Sequence, residues 1–173
     1  YQKEGVAVID SRNGNALIGD EMGLGKTCQA LTYLQIHPEK RPVLIVCPAS
    51  LKLNWAKEID MWVKDNKSIH MIYGKKSSSL PKADFYIINY DIIGDANKKS
   101  RSGWVSVLEK MNFQQIIIDE CHKIKSRTTK RSRALIYLSG KIPSKIAISG
   151  TPIVNRAIEF YNPIKFVNDS LYP

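Results

Sequence analysis

Six short apolar runs, most of them rich in β-branched residues and separated by polar or helix-like stretches, constrain this 173-residue chain more than any other feature. They read NALIG (15–19), VLIVC (43–47), SIHMI (68–72), FYIIN (85–89), QIIID (115–119) and KIAIS (145–149). A strand with one wet face alternates apolar and polar side chains. Nearly continuous apolar runs instead imply strands covered on both faces, as in a parallel sheet. Strand–helix alternation therefore predicts an α/β fold with an open, mostly parallel sheet and helices on both faces.

The stretches between the runs supply the helices. One is predicted after Gly25, ending near His37-Pro38, and others around 103–111, 129–138 and 156–167. Leu51, Trp55, Ile59, Trp62 and Val63 fall at i, i+4, i+8, i+11 and i+12, one face of a further helix with Ser50 as its expected N-cap. Core packing is the expected role of that face. The polar stretches 74–84 and 94–103 read as surface loops. The length suits one domain with a sizeable core.

Composition narrows the class. At 43% hydrophobic the chain is not disordered, and no apolar run approaches the roughly 18–20 residues of a membrane helix. The opening YQKEGVAVID lacks a signal-peptide layout, so an intracellular protein without a membrane partner is expected. Lys and Arg number 26 against 16 Asp and Glu, a formal charge of +10. That excess points to a polyanion, nucleic acid before an anionic membrane surface. Cys28, Cys47 and Cys121 form no C-x-x-C pair, which fits a reducing compartment.

Ligands of open parallel sheets bind at the carboxyl ends of the strands, and two motifs fall there. The first run leads into GDEMGLGKTCQAL (19–31). A phosphate loop needs glycines so that successive backbone N–H groups can converge on oxygens. It also needs a lysine for the β- and γ-phosphates and a Ser or Thr hydroxyl for Mg²⁺. Gly23, Gly25, Lys26 and Thr27 supply these between a strand and a helix. In the pattern G-x-x-x-x-G-K-[ST] the first position is Asp20, not glycine. Lys26 is expected to sit on the loop surface and pack against nothing.

The second motif is IIIDECHKIKS (116–126). Zinc normally needs three or four ligands, with a second pair at suitable spacing. His37 and His70 are isolated, and the other cysteines lie in other segments, so no such set exists. A thiol nucleophile has no supporting signature. An acid pair remains: Asp119 to hold Mg²⁺ and Glu120 to orient and deprotonate water, the positioning and charge neutralisation that phosphoryl transfer requires. Cys121 is expected to pack beneath the site and His122 to join a polar relay.

With DEMGLGKT (20–27) and DECH (119–122) together, the chain resembles the helicase superfamily-two ATPases, and within them the SWI/SNF-type DNA translocases. In that family Asp is common at the first phosphate-loop position. The resemblance implies a P-loop, RecA-like lobe that binds ATP and Mg²⁺ through Asp20, Glu21, Met22, Gly23, Leu24, Gly25, Lys26 and Thr27. YQKEG (1–5) is similar to the Q motif, which makes Gln2 the implied adenine reader. CPASLKLNW (47–55) resembles motif Ia and INYD (88–91) a further nucleic-acid motif. These imply backbone contacts with one strand of double-stranded, sequence-nonspecific DNA around Pro48, Ala49, Ser50, Asn89 and Tyr90. SGTPIVNR (149–156) resembles motif III, implying that Ser149, Gly150 and Thr151 couple phosphate state to DNA. Arg156 and Glu159 resemble the annealing-helicase-like branch and its bacterial and phage relatives, while Ala157 and Cys121 depart from common family residues.

The resemblance also implies a second RecA-like lobe that carries an arginine finger, and a home with the chromosome: cytoplasm or nucleoid in a bacterium or phage host, nucleus in a eukaryote. Rival enzyme readings are an RNA helicase or a restriction-type motor lobe. A rival of another class is a nucleotide-gated nucleic-acid-binding module without turnover, against which intact Lys26, Thr27 and Glu120 argue.

Overall fold

The computed structural model describes residues 1–21, 23–96, 102–150, 161–168 and 170. Each of the six apolar runs forms a strand, the last shifted by one residue: β1 (Ala16–Ile18), β2 (Val43–Cys47), β3 (Ile69–Met71), β4 (Phe85–Asn89), β5 (Gln115–Asp119) and β6 (Ser144–Ile148). They form one sheet in the order β1-β6-β5-β2-β4-β3, and every pairing is parallel. All the carboxyl ends therefore emerge along one edge.

Helices cover both faces, which is why the runs are apolar without alternation. In β2, Val43, Ile45 and Cys47 join Phe85, Ile87, Ile117 and Ile146 beneath α1 (Gln2–Ser11), α2 (Lys26–Ile36) and α3 (Lys52–Trp62). Leu44 and Val46 point the other way, with Tyr86, Ile88, Ile116 and Ile118, into the layer formed by α4 (Val105–Leu108), α5 (Lys130–Ser139) and α6 (Tyr161–Val167). Each fully buried aliphatic side chain contributes roughly 1.5–3 kcal/mol, so central strands with two buried faces carry most of the cohesion. Among the described residues no helix is long and apolar enough to cross a membrane.

Four details differ from the sequence expectation. Helix α1 was not anticipated, because Ile9 is its one buried residue and no apolar stripe marks it. Its Gly5 allows close packing on α2, since a Cβ there would lie 2.0 Å from Gln29 Oε1. Ser50 does not cap α3. A 3₁₀ turn at Ala49–Leu51 intervenes, and Leu51 precedes the helix without a side-chain cap bond. Trp62 leaves the expected core face and is 38% exposed, because its indole N–H bonds Glu58 one turn earlier. The helix expected at 103–111 is a four-residue turn of helix. Part of the segment expected as helix at 156–167 lies outside the described residues, and the described part is helical over Tyr161–Val167.

Gly14 closes the α1–β1 turn with φ +79°, and its N–H bonds the Ile9 carbonyl at 3.0 Å. A Cβ there would meet Gln115 Oε1 at 2.7 Å and the Tyr33 hydroxyl at 2.8 Å. Gly14→Ala should therefore destabilise the chain by about 1–3 kcal/mol, from left-handed strain plus overpacking. A denaturant titration checks this; an unchanged midpoint would contradict the turn geometry.

Candidate active site

Strand parity aims the acid pair. Asp119 ends β5 two residues after Ile117, so it lies on the face covered by α2 and α3. Trp55, a turn into α3, donates its indole N–H to Asp119 Oδ2 at 2.9 Å, and the Glu120 N–H reaches Oδ1 at 2.8 Å. Burial pushes the Asp119 carboxyl above its ordinary range. The Trp55 bond opposes that shift, and the Glu120 charge adds to it. Glu120 itself turns the chain with φ 53° and ψ 54°, and a 3₁₀ turn follows at Cys121–Ile124.

The phosphate loop meets this pair across a cavity of about 400 Å³. Gln2, Gly23, Gly25, Lys26, Thr27, Asp119, Glu120 and Gly150 line it, together with Cys28, Ile148 and the α3 residues Glu58, Met61 and Trp62. Gly25 precedes α2 with φ 76° and ψ 33°. A Cβ on Gly25 would lie 2.3 Å from Gln2 Nε2, so glycine lets α1 approach the loop. The first intrahelical bond runs from Gln29 N–H to the Gly25 carbonyl. The N–H groups of Lys26, Thr27 and Cys28 consequently have no acceptor within α2, and the helix dipole favours an anion there.

Lys26 does not simply project into solvent. Its ammonium donates to the Asp20 carbonyl at 2.8 Å and the Glu21 carbonyl at 2.7 Å, holding the loop in shape. Asp20 is turned away from the cavity. Its carboxylate accepts from buried Gln29 at 3.1 Å and from the Tyr1 hydroxyl, and that bond helps push the Tyr1 phenol up to about 12. Leu24 is exposed. Met22 and Thr151, named as nucleotide and coupling residues from the sequence, lie outside the described residues, as do Arg156 and Glu159.

A relay joins the ends of β5 and β6. His122 Nδ1 lies 3.2 Å from Glu120 Oε2 and 3.4 Å from Ser149 Oγ. The buried Ser149 in turn donates its N–H to the Ile18 carbonyl at the end of β1. Cys121 is buried in the core on the α4–α6 side of the sheet. No cluster of three or more His, Cys, Asp or Glu able to hold a metal occurs among the described residues.

The residues expected to meet a nucleic acid divide. Ala49 and Ser50 are exposed and Pro48 is half-buried, all at the carboxyl end of β2. Tyr90 is 3% exposed, and its hydroxyl donates inward to the Asp119 carbonyl. Asn89 is 8% exposed and reaches Asp91 at 3.5 Å. The segment around Asn89 and Tyr90, expected beside a nucleic acid, thus offers neither side chain as an exposed group: the Tyr90 ring is buried and Asn89 is nearly covered. Trp55 was the reverse case, expected only as core. A buried indole needs an acceptor for its N–H, and that requirement was the available signal.

Do these residues fit a nucleotide and Mg²⁺? A cation and a helix N-terminus face a desolvated carboxylate that has a second carboxylate beside it. A phosphate group suits the first pair, and a divalent cation would relieve the second. The donor set fits. A wholly parallel sheet with this cavity at its carboxyl edge defines a P-loop nucleotide-binding lobe of the RecA-like kind.

Comparison with known proteins specifies the family. The model of the SNF2-related domain matches residues 1–173, so the chain belongs to that family. It is similar to the human DNA annealing helicase and endonuclease ZRANB3, 33% identical over 176 residues, which cover 100% of this chain and 16% of that protein. A Caenorhabditis elegans homologue of SWI/SNF-related matrix-associated actin-dependent regulator of chromatin subfamily A-like protein 1 is 35% identical over 172 residues, covering 99% of this chain and 24% of its own length. Among solved structures, the Sulfolobus solfataricus SWI2/SNF2 ATPase core in complex with dsDNA aligns with a TM-score of 0.79 and 26% identity, over 99% of this chain and 36% of that one. The chain thus spans between 16% and 24% of these two curated relatives.

Burial, followed by the neighbouring carboxylates, pushes the Cys47 and Cys121 thiols up to about 12. Folding therefore holds their protons: stability from this source is intact below the ordinary value of 9.0 and is lost as pH climbs towards about 12. Iodoacetamide at pH 8 should label half-buried Cys28 and spare the other two until the chain is unfolded. Mass spectrometry of the labelled chain checks this, and modification of folded Cys121 would revive a reactive-thiol reading.

Proposed function

We propose that this chain is the ATP-binding lobe of a motor that couples ATP hydrolysis to movement along, or remodelling of, double-stranded DNA. The observation that carries the reading is the cavity that gathers Lys26, Thr27, Asp119 and Glu120 at the sheet edge where the turn after β2 is also exposed. Lys26 and the first N–H groups of α2 would hold the phosphates, and Gln2 at the rim would meet the adenine. Thr27 and Asp119 would hold Mg²⁺, which when bound neutralises charge on the phosphate oxygens. Glu120 would orient the attacking water and take its proton. His122, Ser149, Gly150 and Thr151 would report phosphate state to the nucleic-acid side.

The solved SWI2/SNF2 core named above is bound to dsDNA, and a chain of formal charge +10 suits the same partner. Contacts from Pro48, Ala49 and Ser50 would read backbone, not sequence. Such a protein would work where the chromosome is, in a nucleus or a bacterial nucleoid.

The test is ATP turnover by the intact protein with duplex DNA, with RNA and with neither. Duplex DNA should stimulate it. Stimulation by RNA alone would favour an RNA helicase, and binding without turnover a nucleotide-gated module. Glu120→Gln should retain ATP affinity and lose about 10²–10⁴ in rate. Lys26→Ala should weaken ATP by roughly 10–100-fold, as loss of a charge-assisted bond of about 1.5–3 kcal/mol requires. Asp119→Asn should raise the Mg²⁺ requirement. Normal binding and turnover in all three would sink the assignment.

No arginine lines the cavity among the described residues, and Lys26 is its one basic side chain. In hydrolases of this kind an arginine that stabilises developing charge is worth roughly 10³–10⁵ in rate. We infer that a second RecA-like lobe supplies it. Residues 1–173 alone should then hydrolyse ATP at near-background rates with no response to DNA, and robust DNA-stimulated turnover by this piece would refute the two-lobe reading.

A further inference from the structure

Two buried donors from different strand exits converge on one residue. Trp55, 1% exposed, gives its indole N–H to Asp119 Oδ2 at 2.9 Å. Tyr90, the residue after β4, gives its hydroxyl to the Asp119 carbonyl. A buried indole or phenol can satisfy its polar atom on any nearby acceptor. Here both use Asp119, one fixing the side chain and the other the peptide. Trp55 belongs to the helix that follows the exposed Ala49–Ser50 turn, and Tyr90 follows Asn89 at the neighbouring strand end.

We propose that Trp55 and Tyr90 are positioning residues that tie the nucleic-acid edge to the Mg²⁺-holding carboxylate, an inference that rests on the nucleotide-site reading above. Helix α3 is suited to transmit a shift. Ile59 lies in the core below, and buried Lys52 anchors the first turn to the Ile72 carbonyl. Pressure on the 48–51 turn therefore moves a rigid element whose next turn carries Trp55. A displacement of about 1 Å takes a hydrogen bond of this length out of range and frees Oδ2 to rotate. Tyr90 does the equivalent for the Asp119 peptide, and so for the start of the Glu120 turn. Contacts of this kind form a contiguous physical path between two sites.

The experiment uses the intact protein and two variants that keep their rings and lose only the donor: Trp55→Phe and Tyr90→Phe. The measurements are affinity for a fluorescent ADP analogue across a Mg²⁺ titration, with and without duplex DNA, and the ratio of DNA-stimulated to basal ATP turnover. Loss of a second donor around a metal ligand typically costs 10–100-fold in metal affinity or activity, so Trp55→Phe should raise the Mg²⁺ midpoint about 10-fold. Affinity for the nucleotide without Mg²⁺ should stay as in the wild type, whereas a merely structural defect would lower both. The DNA-stimulation ratio should fall in each variant, and the double variant should lose less than the product of the single losses. If Trp55→Phe does not fold, Tyr90→Phe, which deletes one oxygen, decides. Wild-type Mg²⁺ midpoints and stimulation ratios in the folded variants would overturn the inference alone. A wild-type protein with no Mg²⁺-dependent nucleotide binding would overturn the site reading, and the inference with it.

Discussion

A carboxylate at the end of a strand buried on both faces is the constraint around which this edge of the molecule is organised. Removing Asp119 from water disfavours its charge, and burial is the largest influence on it. The surroundings answer with an indole N–H, a peptide N–H and the Lys26 ammonium across the cavity. Each comes from a different piece of chain: α3, the Glu120 turn and α2. Holding one carboxylate therefore fixes how three elements meet. The wholly parallel sheet makes this possible, because it delivers the exits of β1, β2 and β5 to one edge.

Much of the fold was legible because its physics is local. Strands covered on both faces must be apolar throughout, so 43–47, 85–89 and 115–119 could be read as central strands from composition alone. The apolar period of 51–63 marked α3 for a similar reason. Helix α1 was not legible: its packing depends on the absence of a side chain at Gly5 and on a single buried residue, Ile9. The site shows the same division. Gly25, Lys26, Thr27, Asp119 and Glu120 could be singled out because phosphate and metal chemistry demands those residue types at fixed spacing, and all five line one cavity. The inward turn of the Tyr90 ring was not legible, since adjacency to a strand end says nothing about which way a ring points. Asp20 was assigned to the nucleotide, yet its carboxylate holds Gln29 and Tyr1 and so fastens α1 to the loop.

Net charge needs the same discipline. The stretch KIKSRTTKRSR (123–133) holds six basic residues and no acid, a run that an ordinary solvated helix face explains better than an anion-binding surface. The three arginines among them are committed within the fold. Arg131 bonds the Lys123 carbonyl, Arg133 pairs with Asp95 at 2.7 Å, and the Arg127 guanidinium lies 4.0 Å from the Tyr161 ring centroid. The Arg133 pair ties α5 to Asp95, a structural duty that composition cannot separate from recognition. A formal +10 remains a sound argument for a polyanionic partner, but it does not locate the contact.

The phosphate loop carries a consequence for affinity. The Lys26 ammonium holds the Asp20 and Glu21 carbonyls at 2.8 and 2.7 Å. The lysine thus stands in as the cationic centre that keeps the loop arched. A phosphate held in the proposed way would compete with those carbonyls for the same ammonium. Both sets of bonds are charge-assisted, because the donor is ionised in each, so the gain would be the added attraction of the phosphate charge alone. What the loop offers in return is preorganisation: Gly23 and Gly25 already hold positive φ, and α2 already presents its first N–H groups. Phosphate binding of the kind proposed would then order little backbone, whereas a loop that had to fold around its ligand would lose about 1–2 kcal/mol per residue fixed.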